Sequence, residues 1–140
     1  VRLNPAEARG RFRAAAVARL ATINESGAPH LVPVTFAVAD DVICWAVDHK
    51  PKSRSDLQRV RNIAANPAVS FLADRYDEDW AALWWVRADG IARVLDTPDA
   101  TWITLLANKY RQYRVTPPTG PMVLTDVSHW SGWAASATEA

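Results

Sequence analysis

The sequence predicts a mainly β, α+β fold: a six-stranded antiparallel barrel flanked by helices, in a single domain spanning residues 1–140. Three observations predict it. Short runs rich in β-branched and aromatic residues are separated by tight turns. Helical patterns occur singly among them, without the regular strand–helix–strand alternation of a parallel sheet. The composition, 49% hydrophobic and 22% charged, is that of a chain that buries a core.

In chain order, Asn4, Pro5 and Glu7 read as the cap, first residue and third-position acid of a helix, continued by Ala8, Phe12, Ala15 and Ala16 at helical spacing. "VARLATIN" and "PHLVPVTFAVA" form a hairpin around "ESG", whose Gly27 suits a turn position with positive φ. "DVICWAV" is a third strand after the turn Ala39-Asp40-Asp41. Ser55 and Gln58 fit a capping box, so a second helix is expected to start at Asp56 and stop before Pro67. "AVSFLAD" and the long "WAALWWVRADGIARVLD", bending near Gly90, are the next strands. Thr97-Pro98 opens a third helix carrying Ile103, Leu105, Leu106 and Tyr110; "RVTPPTGP" is a loop, and "MVLTDVSHWSGWA" the last strand.

Composition removes several function classes. The lone Cys44 forms no intrachain disulfide, and no apolar run approaches the roughly 20 residues of a membrane span. "VRLNPAEARGRFR" lacks the apolar core of a signal peptide, so a soluble cytoplasmic protein is expected. A net charge of +1 argues against a nucleic-acid surface across the whole domain. His30, His49 and His129 have no metal-ligand spacing, and no nucleophile elbow, Walker loop or dinucleotide fingerprint occurs.

Two features remain. Lys50, Lys52, Arg54, Arg59 and Arg61 crowd into twelve positions against one acid, Asp56. With Ser53 and a helix start beside them, they form either a solvated surface or a socket for a phosphate. The second feature is "DWAALWWVRADG", part of a chain with seven tryptophans. In a strand, Leu83, Trp85 and Arg87 share one face, and Trp84, Val86 and Ala88 the other. Core packing plus a subunit interface accounts for such aromatics, as does a planar cofactor stacked beside one of them.

Taken in order over residues 12–133, these segments resemble the pyridoxamine 5'-phosphate oxidase-like split-barrel flavoproteins, in particular their actinobacterial F420-dependent branch. "ARLATINESGAPHLVPVTF" is similar to the family's first hairpin, which implies that Val32, Pro33, Val34, Thr35 and Phe36 support the flavin or deazaflavin ring. "RVRNIAANPAVSFL" is similar to the phosphate-gripping helix, Asn-Pro stop and following strand, with Arg59 where a lysine is usual. "WAALWWVRADG" is similar to the strand whose Gln faces the flavin, a position held here by Trp85. "VSHWSGW" resembles the closing strand, placing Trp130 beside the cofactor across a dimer interface.

Two departures stand out. Val32 and Ala37 replace the arginine and lysine that bracket the ring strand in true pyridoxamine phosphate oxidases, so recognition of pyridoxal phosphate is not implied. The loop "DHKPKSR" is longer than usual and adds cations that suit F420, with its phosphodiester and glutamyl tail, better than FMN. The resemblance thus implies a homodimeric F420-dependent oxidoreductase passing a hydride between the deazaflavin C5 and an electron-poor small molecule. Its tail would be held by Lys50, Lys52, Ser53, Arg59 and Arg61, and its substrate pocket shaped by Trp85 and Trp130. An FMN enzyme of the same fold, or a carrier of F420 or haem without turnover, are the alternatives.

Overall fold

The computed structural model describes residues 1–47 and 54–136, with backbone alone for 54–57. The basic loop residues Lys50, Lys52 and Ser53 lie outside the described residues. The elements are α1 (Pro5–Ala14), β1 (Ala18–Ile23), β2 (Pro29–Val34), β3 (Ala37–Ala39), β4 (Val42–Ala46), α2 (Arg54–Ala65), β5 (Ala68–Arg75), β6 (Trp84–Leu95), α3 (Ala100–Lys109), α4 (Arg111–Val115) and β7 (Met122–Ala134). No helix among the described residues is long and apolar enough to cross a membrane.

The strands make one seven-stranded antiparallel sheet in the order β2-β1-β5-β6-β7-β4-β3, one strand more than the sequence suggests. The extra strand comes from a break in "PHLVPVTFAVA" at Thr35-Phe36. At that corner the Phe36 N–H donates to Tyr110 Oη at 3.1 Å, where a continuous strand would present it to a neighbouring chain. The break carries the chain from one end of the sheet to the other. β2 and β3 lie at opposite ends of the sheet order, yet Val34 and Ala37 are three Cα steps apart, about 11 Å at most. The two sheet edges therefore meet at this seam.

Inside the barrel, Phe12 of α1 is fully buried, with its ring centroid 4.5 Å from Phe36, 5.9 Å from Phe71 and 5.5 Å from Trp130. α1 begins as its sequence predicts: the Asn4 side chain accepts from the Glu7 N–H, and the Glu7 carboxylate accepts from the Asn4 N–H. A second apolar cluster lies outside the barrel, where Cys44, Ala46, Met122 and Leu124 of β4 and β7 meet Leu106 of α3. Burial pushes the Cys44 thiol up to about 12, so it is a core group and not a nucleophile at neutral pH.

Several boundaries differ from the sequence reading. α2 starts at Arg54, which puts Ser55 inside the helix rather than at its cap. Trp80–Ala82 form a 3-10 turn, capped by the Asp79 side chain, so β6 begins only at Trp84. The third helix is broken at Tyr110, which is extended (φ −122°, ψ 124°), and a fourth short helix follows. Gly27 has the expected positive φ of 85°. Gly90 marks the expected irregularity: the β6–β7 register shifts between Asp89 and Gly90, and a Cβ there would collide with the Asp126 carbonyl oxygen.

Candidate functional site

A cleft of about 320 Å³ opens where the seam, β4, α2 and α4 meet, lined by Val17, Pro33, Val34, Thr35, Trp45, Ala46, Arg59 and Tyr113. β2 brings Pro33 and Val34 to one wall, and the residue after its end, Thr35, places Oγ1 3.0 Å from Tyr113 Oη. On the floor, the Arg59 guanidinium carbon lies 4.7 Å from the centroid of the Trp45 ring. This cation–π contact fixes the guanidinium over an apolar surface, where its charge is less screened than in bulk water.

α2 is held in the orientation that sends Arg59 there. Its buried Asn62 donates to Thr22 Oγ1 of β1 at 3.0 Å and accepts from Gln58 Nε2 at 2.7 Å, while Ile63 enters the core. The same helix carries Arg61 elsewhere, as two residues turn a helix by about 200°. Arg61 donates to Gln58 Oε1 at 2.8 Å and borders a separate depression with Asn24, Glu25 and Ser26.

The other sequence-predicted residues divide similarly. Val32 is half-buried and packs on the core; Phe36 is fully buried inside the barrel. Trp130 is also buried, and its Nε1 donates to Asp41 Oδ1 at 2.9 Å, so it braces the β3–β4 turn and lies away from the cleft of its own chain. Trp130 and Arg9 hold the Asp41 carboxyl below its usual range through these hydrogen bonds. Trp85 stands on the outer face of β6, paired with Asp74 of β5 and Trp133 of β7. Sequence reasoning missed Val17, Trp45, Ala46 and Tyr113. Trp45 was readable only as a strand aromatic just before the basic loop, and nothing local in "RQYRV" marks Tyr113 for a cleft reached through the third dimension.

The donor set defines what fits. Among the described residues the lining holds a guanidinium and two hydroxyls and no carboxylate, and the buried Trp45 Nε1–H has no hydrogen-bond acceptor. Such a wall suits an anionic, acceptor-rich ligand with a flat apolar part, the chemistry of a phosphate-bearing flavin or deazaflavin.

An antiparallel sheet whose two end strands are joined at one corner, with flanking helices and a cleft at that corner holding Arg59, is the architecture of a small split barrel. The chain belongs to the pyridoxamine 5'-phosphate oxidase family, whose model matches residues 5–131. No curated protein matches it. Among solved structures it is similar to the conserved hypothetical protein Rv2991 from Mycobacterium tuberculosis, with 22% identity, 95% of this chain and 86% of that chain covered, and a TM-score of 0.75. It is similar to a FAD-binding protein from Mesorhizobium loti at 20% identity, covering 94% and 95% of the two chains with a TM-score of 0.67. It is also similar to HutZ, the haem storage protein from Vibrio cholerae, at 15% identity, covering 94% and 95% with a TM-score of 0.64. These likenesses are of fold.

Proposed function

We propose that this chain is an F420-dependent oxidoreductase, exchanging a hydride between the deazaflavin C5 and an electron-poor organic substrate. The observation that carries the reading is that Arg59 and the Pro33–Thr35 segment, far apart in sequence, line one cleft together with Trp45 and Tyr113. The bound cofactor supplies the hydride chemistry. Arg59 binds its phosphate through a planar fork positioned by Trp45. Pro33 and Val34 support the ring, and Thr35 and Tyr113 offer hydroxyls at its edge. Lys50 and Lys52, which precede α2 in sequence, favour the longer anionic tail of F420 over FMN.

The active unit in this reading is a homodimer. At about 320 Å³ the cleft is at the lower end of the roughly 300–1,000 Å³ of small-molecule sites, which fits a site completed by a second chain. Pro33 belongs to a row of paired residues, Pro33–Arg19–Leu72–Arg87–Ser131, that crosses the outer face of five strands beside Trp85 and Trp133. On that face Leu31 (67%), Leu72 (40%), Trp85 (38%) and Trp133 (41%) are exposed, an apolar patch suited to a second copy.

Titration with F420, FMN and FAD, followed by tryptophan fluorescence, tests the proposal. F420 should bind saturably and more tightly than either flavin. Arg59→Ala should weaken it at least about tenfold, as expected for a lost charge-assisted hydrogen bond of about 1.5–3 kcal/mol. Tighter FMN or FAD binding would assign a flavin enzyme of the same fold, the reading favoured by the FAD-binding protein among its structural relatives. Binding without turnover of enones or quinones would make it a carrier, and a Soret band on purification a haem protein, the class of its structural relative HutZ.

A further inference from the structure

A second cavity, of about 510 Å³, lies on the other side of the seam between α1, β3 and α3, and shares no lining residue with the Arg59 cleft. One part of its wall is apolar: Ala37 and Val38 of β3 and Leu105 of α3. The other part is polar and, among the described residues, carries no carboxylate: Arg13 of α1 with Asn108 and Lys109 of α3.

Lys109 is the unusual group. Its Nζ sits 3.7 Å from the centroid of the Phe36 ring and donates to the Arg13 carbonyl oxygen at 3.1 Å. No carboxylate among the described residues forms an ion pair with Lys109 or Arg13. Burial pulls the Lys109 ammonium down to about 8, so at neutral pH it is a partly desolvated cation with no carboxylate paired to it among the described residues. A cation held in this way, in a cavity lined also by a second cationic residue and a roomy apolar wall, suits an anion with an apolar body.

We propose that this cavity binds an amphipathic monocarboxylate, its carboxylate between Lys109 Nζ and the Arg13 guanidinium and its hydrocarbon part against Ala37, Val38 and Leu105. The apolar wall and the small number of donors favour a monoanion over a phosphate dianion, which draws more charge-assisted hydrogen bonds. The site is independent of the cofactor reading, because none of its residues takes part in that cleft.

The test is an amide-resolved NMR titration of the full chain with benzoate, its neutral isostere benzamide, and inorganic phosphate. Benzoate should shift the amides of Ala37, Val38, Leu105 and Asn108 saturably, and bind at least about tenfold more tightly than benzamide, the worth of one charge-assisted contact. Lys109→Met should remove that preference while leaving benzamide binding unchanged. Arg13→Gln, at an exposed position whose loss does not threaten the core, should reduce it independently. Equal binding of benzoate and benzamide, saturable phosphate binding in preference to benzoate, shifts confined to the Pro33–Trp45 cleft, or no saturable shift by about 10 mM would each overturn the proposal.

Discussion

Arg59 and Arg61 sit two positions apart on α2 and reach different depressions, one over Trp45 and the other beside Gln58 and Glu25. Their spacing alone puts them on different sides of a helix, but which side meets the cleft was not legible, because that is set by the docking of Asn62 on Thr22 and of Ile63 in the core. Tyr113 and Trp45 were illegible for a different reason: their places in the cleft are set by how α4 and β4 pack against the seam. Lys109 gives a prediction at this scale. Its pKa falls from 10.5 to about 8 on folding, so between these values the unfolded chain binds more protons and stability rises with pH. The burial penalty applies in full below pH 8. Urea unfolding midpoints of the wild type should therefore rise relative to those of Lys109→Met as pH increases from about 7.5 to 10.5. A pH-independent difference between the two would show that Lys109 does not titrate in this way.

Most elements could be read from local chemistry. The Asn4–Glu7 capping box, the Gly27 turn, the Asn66-Pro67 stop and the Gly90 irregularity each have a local physical cause, and each occurs where the sequence puts it. The break of "PHLVPVTFAVA" could not be read, since alternation continues through it and its cause is remote. Tyr110, 74 residues away, takes the Phe36 N–H. Burial raises the Tyr110 phenol above its ordinary value, so it stays protonated and donates in turn to the Ala16 carbonyl at 2.9 Å. α2 shows what a docked element contributes. Asn62→Ala breaks the bond to the buried Thr22 hydroxyl and should cost about 1–3 kcal/mol of stability, measurable by urea denaturation. The same change should weaken cofactor binding through a displaced Arg59, whereas a loss of stability with unchanged affinity would show that α2 does not need this tether to aim Arg59.

At the scale of the whole molecule, the barrel has one outer face covered by α3 and another left open over β2, β1, β5, β6 and β7. The sequence pointed to large aromatics on both faces of β6 and to covers for both. Among the described residues of one chain the inner face is covered, while Trp85 and Trp133 on the outer face remain partly exposed. If a second copy supplies the missing cover, Leu72→Glu should yield a folded monomer by light scattering, with unchanged circular dichroism and reduced F420 affinity. A dimer that persists with Leu72→Glu and Trp85→Glu together would place the interface elsewhere.

The seam at Thr35-Phe36 also dictates an order of events as the chain folds. Its closure waits on contacts between residues far apart in sequence: Phe36 with Tyr110, Ala16 with Tyr110, and β4 with β7. Such pairings pay loop-closure entropy before they return any stability, which puts barrels of this kind in the millisecond-to-second range of folding times. Until the corner forms, β2 and β3, the end strands of the sheet, are not yet brought together, and each is a template for another chain. Tyr110→Phe, which keeps the ring and removes the hydroxyl that holds the corner, should slow the final refolding phase and increase light scattering during refolding at high protein concentration. The two residues between β2 and β3 thus act as the latch that keeps the ends of the sheet together at one corner.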